Sequence, residues 1–458
     1  RSTPSNSSAA SDVYKRQEER IPRGSVFDRY CKDDQVLIKS IYDKKERKFK
    51  RIYPLDEACS HLTGYSDIKR GKSGLEKVFE DRLNGNIPGS IGNFVSVFFN
   101  RFFRRIPSGF DIYLTIDFGL QKLIYDSFDG RKGAAVVIVP NTGEVLALVS
   151  SPGYSPYIVH SDRLWKKITA DSNEAPIFNR AIKGRYPPGS IFKLITTAIA
   201  IENNIDIKIY CGGEGFLPKG SSRRIFDHEK YEYKRLGKEW TGHGTISMEE
   251  ALVKSSNVYF SKLGIVLGKK LILDNIKKYG FNRDIPWNTE SKSLKKEFKI
   301  DRGYFPSEKE LNDTELAWDS IGQGKVISTP MQWCLITAAI ANGGIIMKPM
   351  LERGRPIQKV CRIMGKPTAE KLKNMMRKVV KKGTGFRADV PGLKICGKTG
   401  TAEVKNFNPH SWFVAFAPLN KPVISSAVVV ENGGFGGKSA ALITKKIYLY
   451  AKENGYFK

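Results

Sequence analysis

Tyr186-Pro187-Pro188-Gly189-Ser190-Ile191-Phe192-Lys193 is the stretch on which the reading of this chain turns. Pro187-Pro188-Gly189 breaks any regular element, and an apolar helical pattern follows over 190–202, with Ser190 near its start. Ser190 and Lys193 stand at i and i+3 and so share a helix face. A serine hydroxyl is a poor nucleophile until a neighbour takes its proton, and an amine can do so only when it is neutral. Partial burial and nearby positive charge both favour a neutral lysine. The helix N-terminus adds N–H groups for a developing oxyanion. A capping serine with a solvated lysine one turn later fits the same tetrapeptide, so its neighbours in the chain must decide.

Two further stretches carry chemistry. Ser255-Ser256-Asn257 interrupts an apolar run, Ala251-Leu252-Val253 before it and Val258-Tyr259-Phe260 after it. Ser255 can relay a proton, and Asn257 can bind an amide with both a donor and an acceptor; a helix cap or turn fits as well. Lys398-Thr399-Gly400-Thr401 follows a strand expected over 393–396. There Lys398 supplies positive charge, Thr399 and Thr401 supply hydroxyls for a carboxylate, and Gly400 admits a substrate backbone closely.

Around these motifs the periodicity predicts short strands over 113–116, 134–139 and 145–150, the last two joined by Asn141-Thr142-Gly143-Glu144 as a hairpin. Helical patterns run over 120–128, 245–267, 274–279, 330–341 and 368–382. Strands return over 412–417 and 423–430, and a last helix over 440–452. Strands at both ends with helices between them predict one α+β domain whose sheet is closed by its first and last segments. Residues 18–110 are charged and irregular, with one short helix expected over 75–83 and nothing that suggests catalysis.

The chain has 458 residues, 40% of them hydrophobic, which is enough for a sizeable core and suggests more than one domain. Its formal charge of +29 suits an anionic polymer or surface as well as it suits solvated faces. No zinc-finger spacing or aromatic-interleaved RNA motif is present, so no nucleic-acid partner is expected. The six cysteines contain no C-x-x-C pair. No stretch reaches the about 18 apolar residues of a membrane helix; the longest candidate, 91–99, carries Asn93. The chain does not begin with Met, and the Ser-rich, unpatterned residues 1–17 are set aside as a non-native or disordered segment.

Taken together, S-x-x-K, S-x-N and K-T-G in this order resemble the motif set of the penicillin-binding proteins and serine β-lactamases. The similarity extends through Leu114-Thr115-Ile116-Asp117, Asn179-Arg180-Ala181, Ile321-Gly322-Gln323-Gly324, Trp412-Phe413 and Val430-Glu431-Asn432-Gly433, covering about 111–458. Arg23-Gly24-Ser25-Val26-Phe27-Asp28-Arg29, Tyr53-Pro54-Leu55 and Gly74-Leu75-Glu76 are similar to the N-terminal segments of class B, monofunctional members. Ile191 stands where the family often has Thr, and Ser256 where Cys is common.

The resemblance implies an antiparallel sheet with helices in a transpeptidase domain over 111–458, preceded by a smaller pedestal or dimerisation-type domain over 18–110. It implies a peptidoglycan D,D-transpeptidase. In that reading Ser190 attacks a D-Ala-D-Ala stem peptide, Lys193 is the general base, Ser255 passes a proton to the leaving amine, and Lys398 tunes the local field. Asn257 holds the donor amide, Thr399 and Thr401 take the terminal carboxylate beside Gly400, and the N–H groups of Ser190 and Thr401 form the oxyanion hole. β-Lactams would trap Ser190. No metal or organic cofactor is implied. A single N-terminal membrane anchor, a catalytic domain on the outer face of a bacterial membrane and a membrane-embedded glycosyltransferase partner are implied by the family alone.

Two rival readings remain. A β-lactam sensor would acylate without turning over, and a scaffold of the wall-building complex would tolerate loss of Ser190. Gly392-Leu393-Lys394-Ile395-Cys396-Gly397-Lys398-Thr399 also fits the P-loop pattern, but its middle residues alternate like a strand and Gly400 opposes the helix that a P-loop needs.

Overall fold

The computed structural model describes residues 22–85 and 109–457. The segment 91–99 and residues 1–17 lie outside the described residues. The N-terminal part is built on strands β1 (Val26–Phe27), β2 (Val36–Asp43) and β3 (Lys48–Ile52), followed by the small ribbon β4 (Ser66–Asp67) and β5 (Gly71–Lys72). The short helix expected over 75–83 is two pieces, Gly74–Val78 and Glu80–Leu83, because Phe79 leaves helical geometry between them.

Strand β6 (Ile112–Tyr113) does not join the catalytic sheet. It pairs in parallel with β1 and completes the sheet of order β3-β2-β1-β6. The strand expected over 113–116 is therefore shorter than its pattern, since Leu114 makes only an isolated bridge to Glu352.

The catalytic sheet consists of β7 (Gly133–Ile138), β8 (Val145–Ser151) and the three late strands β13 (Cys396–Val404), β14 (Phe407–Ala417) and β15 (Ile424–Val430). Its order is β13-β14-β15-β7-β8, antiparallel throughout, so the first and last segments of the domain meet at β15 and β7. One face is covered by the helices Phe118–Phe128 and Ser439–Glu453, through residues such as Leu120, Ile124, Ile443 and Ile447. The other face is covered by the helix Pro330–Ala341, all twelve of whose residues are buried. A helix whose only polar side chains, Gln332 and Thr337, are hydrogen-bonded inside the protein belongs in a core, and Thr329 caps it with Pro330 at its first position. Two two-stranded ribbons, β9 (Ile209–Gly212) with β10 (Gly242–Ile246) and β11 (Ile345–Met347) with β12 (Lys359–Arg362), lie outside this sheet.

The continuous helix expected over 245–267 is not formed. Thr245 belongs to β10, and a helix runs over Met248–Lys254 behind a capping box of Ser247 and Glu250. Ser255 then adopts the left-handed conformation, φ 62°, and a new helix begins at Asn257. That helix breaks at Gly268, φ 72°, and the stretch after this kink, ending at Ile276, absorbs the start of the element expected over 274–279. The strand expected over 393–396 also shifts. Lys394 has φ 48°, which ends any extended run there, and β13 starts at Cys396. All four residues of the Lys398-Thr399-Gly400-Thr401 motif consequently lie inside a strand at the sheet edge rather than after one.

Candidate active site

Ser190 sits in a 3₁₀ turn, Gly189–Phe192, that runs directly into the α-helix Lys193–Glu202. In a 3₁₀ turn residues three apart eclipse one another. Lys193 Nζ accordingly lies 2.9 Å from Ser190 Oγ. The turn is pinned from three sides. Gly189 has φ 56°, and its N–H donates to the Gly322 carbonyl at 2.8 Å. Trp412 Nε1 donates to the Pro187 carbonyl at 3.1 Å. Tyr186, just upstream, donates its hydroxyl to Glu431 at 2.8 Å, and the same carboxylate takes Arg180 Nε at 2.8 Å.

The break at Ser255 brings the second motif to the same amine. Lys193 Nζ donates to the Ser255 carbonyl at 2.6 Å and to Asn257 Oδ1 at 2.7 Å, and lies 3.4 Å from Ser255 Oγ. The third motif closes the group, with Lys398 Nζ donating to Ser255 Oγ at 2.8 Å. Lys193 and Lys398 are both fully buried. Burial pulls Lys193 down to about 7, against the opposing charges of Asp227 and Glu229. Burial also takes Lys398 well below the ordinary lysine value, and the neighbouring Lys193 adds to that fall.

The proton inventory at Lys193 is informative. A carbonyl and an amide oxygen can only accept. A neutral amine has two N–H groups and one lone pair. With Ser255 O and Asn257 Oδ1 taking the two hydrogens, the lone pair is left for the hydroxyl of Ser190.

Thr399 and Thr401 lie on the same side of β13 and line a cleft of about 360 Å³ together with Ser190, Ser255 and Asn257. The Thr399 hydroxyl lies 2.6 Å from that of Thr384, and Thr401 Oγ1 accepts from the Gly436 N–H at 3.2 Å. At Gly400 a Cβ would stand 2.8 Å from the Pro188 carbonyl, so the edge strand approaches the Ser190 turn only because glycine is there. Among the described residues no group of three or more His, Cys, Asp or Glu side chains is arranged to hold a metal ion.

The eight candidate site residues are thus brought together: Ser190, Ser255, Asn257, Thr399 and Thr401 line the cleft, and Lys193, Lys398 and Gly400 lie buried beside them. Sequence reasoning missed three of its neighbours. Thr384 follows the helix Lys366–Lys382 in an unremarked Gly383-Thr384-Gly385 turn. Asp227 and Phe226 grip Asn257 from a segment with no local pattern: Asn257 N donates to Asp227 Oδ1 at 2.5 Å, and Asn257 Nδ2 to the Phe226 carbonyl at 2.9 Å. In the sequence Gln323 stands out only as part of Ile321-Gly322-Gln323-Gly324. It donates to the Thr401 carbonyl at 2.8 Å and accepts from the Glu403 N–H at 3.2 Å.

The family described as "Penicillin binding protein transpeptidase domain" matches residues 133–449, and "Penicillin binding protein A dimerisation domain" matches residues 23–101. The chain belongs to the penicillin-binding protein transpeptidases. It is 31% identical to the peptidoglycan D,D-transpeptidase PbpA of Mycobacterium tuberculosis, over 98% of this chain and 91% of that protein. It is also 31% identical to the peptidoglycan D,D-transpeptidase MrdA of Acinetobacter baumannii, over 88% of this chain and 66% of that protein. A solved structure of penicillin-binding protein A from M. tuberculosis, a ceftriaxone acyl-enzyme complex, superposes with a TM-score of 0.83 at 28% identity, covering 95% of this chain and 99% of that one. Among the described residues no helix is long and apolar enough to cross a membrane.

Proposed function

We propose that the protein is a monofunctional peptidoglycan D,D-transpeptidase working through a Ser190 acyl-enzyme. The observation that carries this reading is the lone-pair geometry at Lys193: two acceptor-only oxygens hold its hydrogens while Ser190 Oγ stands at 2.9 Å. The Ser190 proton passes to Lys193 as Oγ bonds to the carbonyl carbon of the penultimate D-Ala. The resulting oxyanion lies between the N–H groups of Ser190 and Thr401. Thr401 supports this role, because N–H and C=O of one strand residue point to the same side and its C=O already faces Gln323 across the free edge of β13.

Collapse breaks the C–N bond. The leaving amine takes the Ser255 proton, which Lys193 replaces, with Lys398 holding Ser255 in place. Asn257 positions the donor amide, while Thr399 and Thr401 take the terminal carboxylate beside Gly400. The amine of a second stem peptide then attacks the ester, its spare proton returning through Lys193 to Ser190 Oγ, and the cross-link is released. A β-lactam opens in the same first step, but its amine stays tethered.

In this reading 18–110 is a pedestal domain and 111–458 the transpeptidase domain, the former supported by the matched dimerisation segment. The enzyme would work at the outer face of a bacterial membrane beside a membrane-embedded glycosyltransferase that polymerises the glycan. Fluorescent penicillin added to the parent and to Ser190→Ala, read by denaturing gel and mass spectrometry, tests the chemistry. Stable label on Ser190 in the parent alone is expected. A folded parent that takes no label overturns the reading, and rapid loss of label reassigns it to a β-lactamase. Release of D-Ala with formation of a cross-linked dimer from two stem peptides then separates a transpeptidase from a sensor or scaffold.

A further inference from the structure

Behind the cleft lies a buried acidic centre that the reaction as described does not use. Asp227 is 2% exposed. Its Oδ1 accepts the backbone N–H groups of Asn257 at 2.5 Å and Val258 at 3.0 Å, and the Ser256 hydroxyl donates to both carboxylate oxygens, at 2.9 and 3.1 Å. These are the first free N–H groups of the helix that begins at Asn257 and runs to the kink at Gly268. Helix N-termini leave such donors unpaired and favour an anion beside them. Ser256 caps the helix locally, its Oγ accepting the Tyr259 N–H at 3.1 Å, and Asp227 adds a second cap from thirty residues upstream. The preceding residue completes the grip, since the Phe226 carbonyl takes Asn257 Nδ2 at 2.9 Å. With its nitrogen held there, the Asn257 amide can present only its oxygen to Lys193 Nζ, at 2.7 Å.

The outer side of Asp227 is also built. His243 Nε2 lies 3.8 Å from Asp227 Oδ2 and 3.6 Å from Glu229 Oε1, with the imidazole almost wholly buried against Trp240. Lys254 Nζ stands 3.5 Å from His243 Nδ1, which favours the tautomer with its proton on Nε2, facing the two carboxylates.

We propose that Asp227 is a positioning residue for the acyl transfer: it seats Asn257 against Lys193 and sets, through its buried negative charge, the conditions under which that amine works as a base. The proposal rests on the Ser190–Lys193 reading above. The charged and titratable groups that bear on Lys193 are Lys398, Asp227 and Glu229; those that bear on Asp227 are Lys193, His243 and, through Ser256, Cys211. Asp227 and Glu229 both act on Lys193 in the direction that favours its charged form, against burial. Removing either charge therefore favours the neutral base at lower pH.

The test is the second-order rate of fluorescent-penicillin acylation of Ser190 from about pH 5 to about pH 9, in the full chain. In Asp227→Asn the maximal rate is expected to fall at least tenfold, and the acid limb to move to lower pH. Glu229→Gln should move the limb the same way with a smaller fall in maximum, because Glu229 does not touch Asn257's helix cap. Asp227→Glu keeps the charge but misplaces it, so its limb should stay parental while its maximum falls. A parental maximum in either Asp227 variant overturns the seating role. A parental limb in both Asp227→Asn and Glu229→Gln overturns the electrostatic role. Should Asp227→Asn not fold, Asp227→Glu and Glu229→Gln still decide the two halves separately. Absence of Ser190 label in the parent is a different failure, that of the underlying reading.

Discussion

A Cβ placed on Gly189 would stand 2.5 Å from the carbonyl oxygen of Thr401. The residue before the candidate nucleophile therefore touches the edge strand that carries Thr401, and it does so at φ 56°. Left-handed geometry costs a residue with a side chain about 1–2 kcal/mol, before any clash with backbone that cannot move aside. Gly189→Ala is expected to lower the melting temperature by a few degrees and to cut penicillin acylation at least tenfold. Parallel thermal melts and labelling rates check both.

Lys193 must be neutral to accept the Ser190 proton. Burial brings it to about 7. Below that pH the protonated fraction rises, so acylation should fall roughly tenfold for each pH unit on the acid side. Lys193→Ala should abolish the limb along with most of the rate. A pH-independent acylation rate in the parent would remove Lys193 from the role of base.

Gln323 ties the loop that holds Gly189 to the edge strand that holds Thr401. Leaving the Thr401 carbonyl without its donor costs about 1–3 kcal/mol where water cannot replace it. Gln323→Ala is expected to slow acylation about tenfold and to lower the melting temperature by a few degrees. A large fall in melting temperature with parental acylation of the folded fraction would show that the bridge serves only the fold.

In the pedestal, Glu76 is wholly buried between Arg23, at 2.9 Å, and Arg51, at 2.6 Å, with the Tyr53 hydroxyl donating to it at 3.2 Å. Burial alone would raise its carboxyl, but the two guanidinium groups outweigh burial and hold it below the ordinary glutamate value. A carboxyl depressed in the folded state stabilises the fold above its unfolded value, near 4.5, and that stabilisation is lost as pH falls through the folded value. Glu76→Gln should cost about 3–5 kcal/mol, as breaking a buried ion pair does, and should flatten the acid limb of stability. Denaturant titrations at neutral and acid pH check this. Ser190 labelling of the folded variant should stay parental.

Local chemistry made much of the fold legible. The Asn141-Thr142-Gly143-Glu144 turn gave the β7–β8 hairpin, and the helical pattern over 330–341 marked the core helix at its observed bounds, Pro330–Ala341. The three motifs also converge as their chemistry requires. What stayed hidden is what tertiary contacts decide. Ser255 takes a left-handed conformation that no neighbouring glycine announces, and its partners, Lys193 and Lys398, are 62 and 143 residues away. Lys394, also left-handed, delays the edge strand within a run that alternates like a strand. Asp227 reads locally as one more loop acid, because everything it holds lies thirty residues downstream.

Strand β6 belongs by pairing to the pedestal, yet five residues later the chain enters the helix Phe118–Phe128, which packs on β8 of the catalytic sheet. The segment between is bonded on both sides: Arg29 N–H to the Ile116 carbonyl at 2.8 Å, Thr115 N–H to that of Leu351 at 2.8 Å. Such a connection is a crank rather than a hinge. Torque applied to the pedestal meets these bonds, the apolar core that runs on from Leu62 and Leu75 to Leu148, and the ion pairs of Arg82 with Glu352 and Lys77 with Glu297 before it reaches the catalytic sheet.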